Sequence, residues 1–188
     1  IATRDWHPEG HMSFASNYKW KNPFNIIGWD DVVNGKDHPL QLNPKAGFTL
    51  KDLETEFWAV GNQVLWPDHC ITGTPSVEYH RELDTSLIDH HIIKWYDATR
   101  EMYSGFQGKE ENSWKALFEI LTEAGITSLK IVGIATDYCI KATAIHSVRN
   151  GFLTTIMKDM IAGVDIKSPE ETITYLEALR KKENIHYE

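Results

Sequence analysis

The sequence has little cysteine, no long apolar run and no excess of basic residues. Its two cysteines, Cys70 and Cys139, are too few for a disulfide framework, which suits a reducing compartment. No stretch approaches the roughly 20 apolar residues of a membrane-spanning helix, and no signal-peptide pattern is visible. The formal net charge of −8 argues against a nucleic-acid or anionic membrane partner. We therefore expect a cytoplasmic protein, with the nucleus left open as a location.

Length and composition predict one domain over residues 1–188, since 41% of the 188 residues are apolar and 24% are charged. Because the chain begins with Ile1 rather than Met, we expect the native N-terminus to lie upstream. Residues 17–65 are the least patterned part and are read as a long insertion. Its many aromatic residues suggest that it packs down as a cover, with a short helix over Leu50–Val60.

A strand-to-helix turn carries one of the two cysteines. Leu129–Ala135 is a short β-branched run typical of a buried parallel strand, and a helical pattern follows until Asn150-Gly151. Cys139 lies between the two, where free backbone N–H groups and the helix dipole favour an anion. Such a place can lower a cysteine pKa from about 8.5 toward neutrality and can hold an oxyanion. An ordinary buried cysteine fits this stretch equally well.

Two further blocks hold residue types that bind transition metals. Asp5 and His7 are two apart, so on an extended segment they project to the same side. His69, in the block that begins at Trp66, is a third candidate, and His11 is a fourth that could instead line a cleft. Three protein ligands leave positions open for water or substrate, as in catalytic sites for Zn²⁺, Fe²⁺ or Mn²⁺. For Asp5 and His7 alone, a polar loop is the stronger interpretation.

The remaining pattern alternates strands and helices, which predicts an α/β fold of three layers with a mostly parallel, Rossmann-like sheet. One strand delivers Lys94, a residue type that is usually solvated at a strand end. The Ser168-Pro169-Glu170-Glu171 run is a helix start with a cap. The predicted elements are strands over Asp89–Trp95 and Phe152–Lys158, helices over Ser113–Ala124 and from Ser168 to Lys182, and a buried turn at Met160–Val164.

Four blocks in this order resemble one family over essentially the whole chain outside the insertion. They read R-D-W-H-P-x-x-H-x-S-F, W-P-x-H-C-x-x-G-T, K-x8-Y-S-G-F and G-I-A-T-D-Y-C. They are similar to the nicotinamidase/pyrazinamidase branch of the isochorismatase-like cysteine hydrolases. The resemblance implies deamidation of nicotinamide to nicotinate and ammonia in NAD salvage, that is, in pyridine nucleotide biosynthesis.

The resemblance also implies roles for single residues. Cys139 would be the nucleophile, with Lys94 as the cation beside it. The backbone N–H groups of Ala135 and Cys139 would form the oxyanion hole, with a cis peptide between Ile134 and Ala135. The implied metal, usually zinc with iron or manganese as alternatives, would be bound by Asp5, His7 and His69, and less favourably by His11. The implied pocket for the pyridine ring would be lined by Trp66, Tyr103 and Tyr138.

Three departures from the family pattern stand out. Trp95 follows the lysine where the family often has glycine, and the insertion is longer than in compact bacterial members. The family's catalytic aspartate, on a first strand, has no counterpart here, and Asp137 does not replace it because it belongs to the cysteine block. The resemblance implies that this first strand lies centrally in the sheet, between Ile1–Arg4 and Leu129–Ala135. We expect about 30–60 upstream residues to supply that strand, a crossover helix and the aspartate, within reach of Cys139 and Lys94.

Two alternatives to nicotinamide deamidation stay open at this point. A related hydrolase of the same fold could act on another amide or on an enol ether, although Cys139 with the three metal candidates argues against the isochorismatase branch. A non-catalytic metal-binding relative is the second, and the missing aspartate is its best support. Homo-oligomer formation and the metal's identity are not determined by the sequence.

Overall fold

The computed structural model describes residues 1–33 and 40–188, which form two compact units. The first unit comprises Ile1–Thr3, His90–Lys94 and Met102–Glu188, and the second comprises Arg4–Asp89 and Trp95–Glu101. No helix within the described ranges is both long enough and apolar enough to cross a membrane.

Short strands and helices alternate along the described chain. In chain order they are β1 (Ala2–Asp5), β2 (Ile26–Gly28), α1 (Trp29–Val33), α2 (Leu50–Val60), β3 (Asn62–Val64), β4 (His91–Lys94), β5 (Lys109–Glu110), α3 (Leu117–Glu123), β6 (Ser128–Ile134), α4 (Lys141–Arg149), β7 (Leu153–Ala162), α5 (Pro169–Glu183) and β8 (His186–Tyr187). Short 3₁₀-helices occur at Ala15–Asn17, Pro75–Val77, Thr85–Leu87 and Gly105–Gln107, and a π-helix spans Thr136–Ile140.

A parallel sheet in the order β6-β7-β8 forms the larger part of the first unit. β6 pairs with β7 from Ser128 opposite Leu153 to Ile134 opposite Ala162, and β7 pairs with β8. α4 and α5 bury their apolar faces on this sheet, in a core that consists of Ile131, Ile140, Ala144, Ile156, Leu176, Leu179 and Ile185. The predicted α/β pattern with parallel pairing is therefore present here.

A second sheet of the first unit has the order β1-β4-β5. The Ala2 N–H donates to the His90 carbonyl at 3.0 Å, and β4 pairs antiparallel with β5. A small core underlies these elements, made of Ile92, Leu117, Ile120, Leu121 and Phe152. The strands described for this unit thus form two three-stranded sheets, in which β1 and β6 are end strands.

The second unit is built mainly from the 17–65 stretch and the segments that flank it. β2 and β3 pair antiparallel, and α2 begins at a Thr49 cap whose side chain accepts the Asp52 N–H. Its core consists of Met12, Ala15, Tyr18, Ile27, Leu40, Phe48, Leu53, Phe57 and Leu65. The segment that follows His7 contacts this stretch directly, because the Gly47 N–H donates to the carbonyl of buried Gly10 at 2.9 Å.

Several predicted elements have the expected bounds. The helix over Leu50–Val60 is α2, and the strand over Leu129–Ala135 is β6, one residue earlier at each end. α5 begins at the predicted Ser168 cap, with Pro169 in the first position and the Glu171 carboxylate completing a capping box. These elements were predictable because caps and apolar periodicity are local signals.

Other expectations are wrong, and the reasons are tertiary. The predicted helix over Ser113–Ala124 begins only at Leu117, because the Glu110 carboxylate accepts the Ser113 N–H and holds a turn before it. The predicted turn at Met160–Val164 is instead the end of β7, whose pairing with β6 extends to Ala162, and Met160 is 62% exposed.

Two predictions of burial also need correction. β6 is the end strand of its sheet, so Val132 and Ile134 are 50% and 74% exposed, although a buried strand was expected. In the insertion, Phe48 and Phe57 are buried, but not every aromatic residue packs down as a cover would require. The exposed ones are Trp20, Phe24 and Trp58.

Candidate functional site

Two distant stretches of the second unit lie side by side and carry the predicted metal ligands. The His7 N–H donates to the Cys70 carbonyl at 2.9 Å, and the Thr72 N–H donates to the His7 carbonyl at 2.8 Å. This parallel bridge between His7 and Ile71 aligns the end of β1 with the loop after Pro67. Backbone pairing therefore brings residues more than 60 positions apart in sequence to one place.

Asp5, His7 and His69 form a cluster that we call the ligand trio. Each offers one ligand atom, and the three atoms lie within 4.8 Å of one another. Two ligand atoms at about 2.1 Å from a shared ion lie at most about 4.2 Å apart, so a small side-chain movement would complete a site. A carboxylate with two imidazoles is a donor set that suits a divalent transition metal. The trio therefore fits the metal that the sequence predicts.

A backbone carbonyl orients one of these imidazoles. His69 Nδ1 lies 2.8 Å from the Pro67 carbonyl oxygen, to which it donates. That tautomer leaves the lone pair of Nε2 for a metal, and Nε2 lies 3.8 Å from Asp5 Oδ2. Both side chains remain partly open to solvent, at 37% for His69 and 25% for Asp5, whereas His7 is buried. The trio thus has an accessible side for water or substrate.

His11 lies outside the ligand trio. Its Nε2 donates to the Arg100 carbonyl at 3.1 Å, and its Nδ1 accepts the Ser13 N–H at 3.1 Å. Burial lowers the pKa of His11 to about 4, so the ring is neutral near pH 7. With both ring nitrogens engaged by the protein, His11 has a structural role, and the less favoured prediction of a fourth ligand has no geometric support.

A layer of rings surrounds the imidazole of His7. The ring centroids of His11, Phe14, His69 and Trp95 lie 4.8, 4.9, 4.7 and 4.9 Å from it. Cys70, which follows a ligand in sequence, is a half-buried thiol that does not belong to the trio. The ring of His7 is therefore fixed by packing on several sides.

Residues 135–141, which we call the cysteine turn, join β6 to α4 in the first unit. The peptide between Ile134 and Ala135 is cis, as the resemblance implies. The Tyr138 and Ile140 N–H groups both donate to the Ala135 carbonyl, at 3.1 and 3.0 Å. Cys139 is half-buried within the π-helix that follows, so its thiol is at the strand-to-helix position that the sequence predicts.

Asp137 holds the cysteine turn against a neighbouring loop. Its buried carboxylate accepts the backbone N–H groups of Val164, Asp165 and Ile166, at 3.0, 2.7 and 3.4 Å. Both carboxylate oxygens are engaged in this way. Asp137 is therefore a structural residue, which agrees with the view that it does not replace the family's catalytic aspartate.

Lys94 and two tyrosines are the other predicted site residues of the first unit. Lys94 is buried rather than solvated, and its Nζ donates to the Tyr103 carbonyl at 3.3 Å. The rings of Tyr103 and Tyr138 lie 5.6 Å apart, and the Tyr138 hydroxyl donates to Asp165 at 3.2 Å. Burial, with a contribution from Asp165, raises the pKa of Tyr138 to about 12. Tyr138 therefore stays protonated and can act as a hydrogen-bond donor.

Trp66 belongs to the second unit, with its backbone in a ladder and its ring half-buried. Its N–H donates to the Ser13 carbonyl at 2.7 Å, and its carbonyl accepts the Ala15 N–H at 2.9 Å. Its ring meets that of Phe24 edge to face at a centroid distance of 5.9 Å. The position of the Trp66 backbone is thus fixed close in sequence to the ligand His69.

Sequence reasoning did not find two contacts that shape the ligand trio. The Pro67 carbonyl orients His69, and the only signal for this was its position two residues before the histidine. Trp95 stacks on His7, but in the sequence it stands out only as a large residue after Lys94. Neither contact is visible in a local pattern, because each depends on how the chain folds back.

Residues 40–182 match the isochorismatase domain family. A nicotinamidase of Acinetobacter baylyi is 33% identical over 166 residues, which are 88% of this chain and 64% of that protein. The chain thus spans less than two thirds of that relative's length.

Two solved structures are similar to this chain in fold. A structure named as a nicotinamidase and pyrazinamidase of Acinetobacter baumanii has a TM-score of 0.70 and 30% identity, with 98% of this chain and 74% of that chain covered. A pyrazinamidase of Pyrococcus horikoshii, solved in complex with zinc, has a TM-score of 0.59 and 27% identity, with 100% of this chain and 73% of that chain covered. These likenesses confirm the predicted α/β fold.

Proposed function

Because the chain belongs to the isochorismatase domain family, we propose that it hydrolyses the carboxamide of nicotinamide to nicotinate and ammonia. Curated relatives named as nicotinamidases support this choice of substrate. The observation that carries the proposal is the occurrence of the ligand trio, in a chain of this family, together with a half-buried cysteine at a strand-to-helix turn.

The proposed chemistry is nucleophilic acyl transfer through Cys139. The thiolate attacks the amide carbon, the carbon–nitrogen bond breaks, and the nitrogen leaves as ammonia after it takes up a proton. Water then cleaves the thioester and releases nicotinate and the thiol. The buried ammonium of Lys94 would favour the thiolate electrostatically, and the N–H groups of Ala135 and Cys139 are proposed to stabilise the oxyanion. Asp137 is not assigned a proton-transfer role, because backbone N–H groups engage its carboxylate.

The ligand trio is proposed to hold one divalent ion, with zinc as the first choice and iron or manganese as alternatives. When bound, such an ion would act as a Lewis acid toward the pyridine nitrogen and toward ordered water. Asp5, His7 and His69 provide the donor atoms, and the Pro67 carbonyl keeps His69 in the tautomer that binding requires. Proposed contacts to the pyridine ring are Trp66, Tyr103 and Tyr138.

The proposal also covers the domain organisation, the pathway and the location of the enzyme. We propose one hydrolase domain over residues 1–188, with residues 17–65 as an insertion in it. The reaction would belong to NAD salvage in the cytoplasm or the nucleus, with nicotinamide as its small-molecule partner.

The test uses the full-length protein and two measurements on the same preparation. Ammonia release and nicotinate formation are followed with nicotinamide, and bound metal is counted by elemental analysis. Benzamide, which has the same amide but lacks the ring nitrogen, is the matched control substrate. We expect about one metal per chain and turnover of nicotinamide well above that of benzamide. Metal without turnover of either amide would favour a non-catalytic metal-binding protein, and equal turnover would favour a broader amidase.

A further inference from the structure

We propose that Trp95 is a positioning residue for the metal-binding imidazole of His7, an inference that rests on the metal site of the proposed function. Among the rings of His11, Phe14, His69 and Trp95, that of Trp95 is the closest to parallel with the imidazole of His7, with an interplanar angle of 25°. The rings of His11, Phe14 and His69 meet it at 78°, 47° and 61°. Trp95 thus covers a face of the imidazole, while the others contact it at steeper angles.

A face-to-face contact restrains the one rotation that matters for a ligand imidazole. Turning the ring about its bond to Cβ changes the directions in which both ring nitrogens point, and the indole face, whose centroid lies 4.9 Å from that of the imidazole, opposes that turn. Both side chains are buried, His7 at 1% and Trp95 at 3% exposure, so neither has room to swing away. The stack therefore holds His7 in one orientation relative to Asp5 and His69.

A buried carboxylate fixes the indole in turn. Trp95 Nε1 donates a hydrogen bond to Glu101 Oε1, and Glu101 is itself only 8% exposed. The Glu101 backbone N–H donates to the Glu56 carboxylate at 3.0 Å, which anchors this segment to α2. A chain of contacts thus runs from α2 through Glu101 and Trp95 to His7.

The backbone at Trp95 supports a role for this particular side chain. Its φ of +58° lies in the left-handed region, which favours glycine and is costly for a bulky residue. At Trp95 this cost is offset by contacts that include the stack on His7 and the bond to Glu101. Trp20 has nearly the same φ, +59°, but is 80% exposed, so it offers a matched control.

The test measures metal affinity and not turnover. Co²⁺ is added to the metal-free full-length protein, and its dissociation constant and visible absorption spectrum are compared between the wild type and variants. For Trp95→Gly we expect Co²⁺ binding to weaken about 10- to 100-fold, as for other residues that orient metal ligands, with an altered spectrum. Trp20→Gly, which makes the same backbone change, should leave both readouts unchanged.

A second variant keeps the inference falsifiable if Trp95→Gly does not fold. Trp95→Leu retains an apolar side chain but removes the flat face and the N–H donor, and circular dichroism would establish that it is folded. Weaker Co²⁺ binding by the folded Leu variant supports the inference even if nicotinamide is not the substrate. Wild-type affinity and spectrum in that variant would overturn it, whether or not the protein deamidates nicotinamide.

Discussion

The ligand trio and the cysteine turn differ in how much of their surroundings packs against them. His7 is enclosed by four rings and bridged by backbone hydrogen bonds to the segment that carries His69. The cysteine turn follows β6, the end strand of its sheet, where Val132 and Ile134 are 50% and 74% exposed. The buried carboxylate of Asp137 and the hydroxyl of Tyr138 hold the turn to the loop at residues 164–166.

This difference matches the chemistry proposed for each region. A metal site needs donor atoms fixed to within a fraction of an ångström, and dense packing of rings provides such precision. A nucleophilic thiol needs approach by the substrate, and a half-buried position at the start of a helix provides it. Each region can therefore be altered without the other, and variants should separate metal binding from covalent chemistry.

The largest effect is expected from removing the nucleophile. Cys139→Ala should lower turnover of nicotinamide about a thousandfold or more, since the proposed thioester forms on the Cys139 sulfur. Its metal content should stay that of the wild type, because Cys139 is not part of the trio. Cys70→Ala is the matched control and should retain turnover. Steady-state kinetics and elemental analysis of both variants check this, and normal turnover by Cys139→Ala would exclude the thioester mechanism.

The next effect is expected at the ligand trio. His69→Ala removes one of three donors and should weaken metal binding by more than about a hundredfold, because losing even an outer-shell partner costs about 10- to 100-fold. Alkylation of Cys139 by iodoacetamide should be unaffected, if the two regions act separately. Competition with a chromogenic chelator measures the affinity, and mass spectrometry measures the labelling. Full metal retention by this variant would contradict the assignment of His69.

A smaller effect is expected from the contact that holds the cysteine turn. Asp137→Ala removes a buried acceptor for three N–H groups and should lower the free energy of unfolding by about 2–3 kcal/mol. The control is Asp159→Ala, whose carboxylate is 83% exposed and should matter little. Urea unfolding of both variants measures the difference. Equal stability of the two variants would mean that the hydrogen bonds of Asp137 do not stabilise the fold.

The smallest effect is expected from removing a helix cap, a feature that occurs in both units. Ser168→Ala and Thr49→Ala each remove a helix cap, at α5 and α2, and each should cost about 1 kcal/mol. Hydrogen exchange of the first-turn amides should show where each loss acts. The Ser168 variant should affect α5, and the Thr49 variant should affect α2. Faster exchange spread evenly over both helices would contradict the expectation that each cap stabilises only its own helix.

Local signals account for the parts of the fold that were predictable. The cap at Ser168 predicted the start of α5, and the β-branched run at Leu129–Ala135 predicted β6. The late start of α3 was not predictable, because it depends on the Glu110 carboxylate, and the exposure of Val132 has no local signal, because it depends on the order of strands in the sheet. Sequence periodicity reports which residues are apolar, but not which strand ends a sheet.

The candidate site, like the fold, has parts that the sequence predicted and parts that it did not. The spacing of Asp5 and His7 places both side chains on one side of a strand end, and the block that begins at Trp66 supplied His69 as a third candidate. The structure brings these residues together, whereas their roles remain predictions. The face of Trp95 and the two hydrogen bonds of His11 could not be foreseen, because their partners include residues about 90 positions away in the chain. Such contacts follow from the tertiary fold and leave no local pattern.

The close approach of Gly10 to Gly47 has a consequence for how the two segments can change. A Cβ added to Gly10 would lie 2.4 Å from the Gly47 nitrogen and 2.6 Å from the Lys45 oxygen, so any side chain there must push the segments apart. Once they are apart, a methyl group at Gly47 no longer meets the Gly10 carbonyl oxygen, which lies 3.3 Å from the added Cβ, although Ala98 Cβ at 3.2 Å remains beside it. The effects of Gly10→Ala and Gly47→Ala should therefore be strongly non-additive. The segment that carries His7 and the 17–65 stretch are coupled at this point, and neither sequence can vary independently of the other.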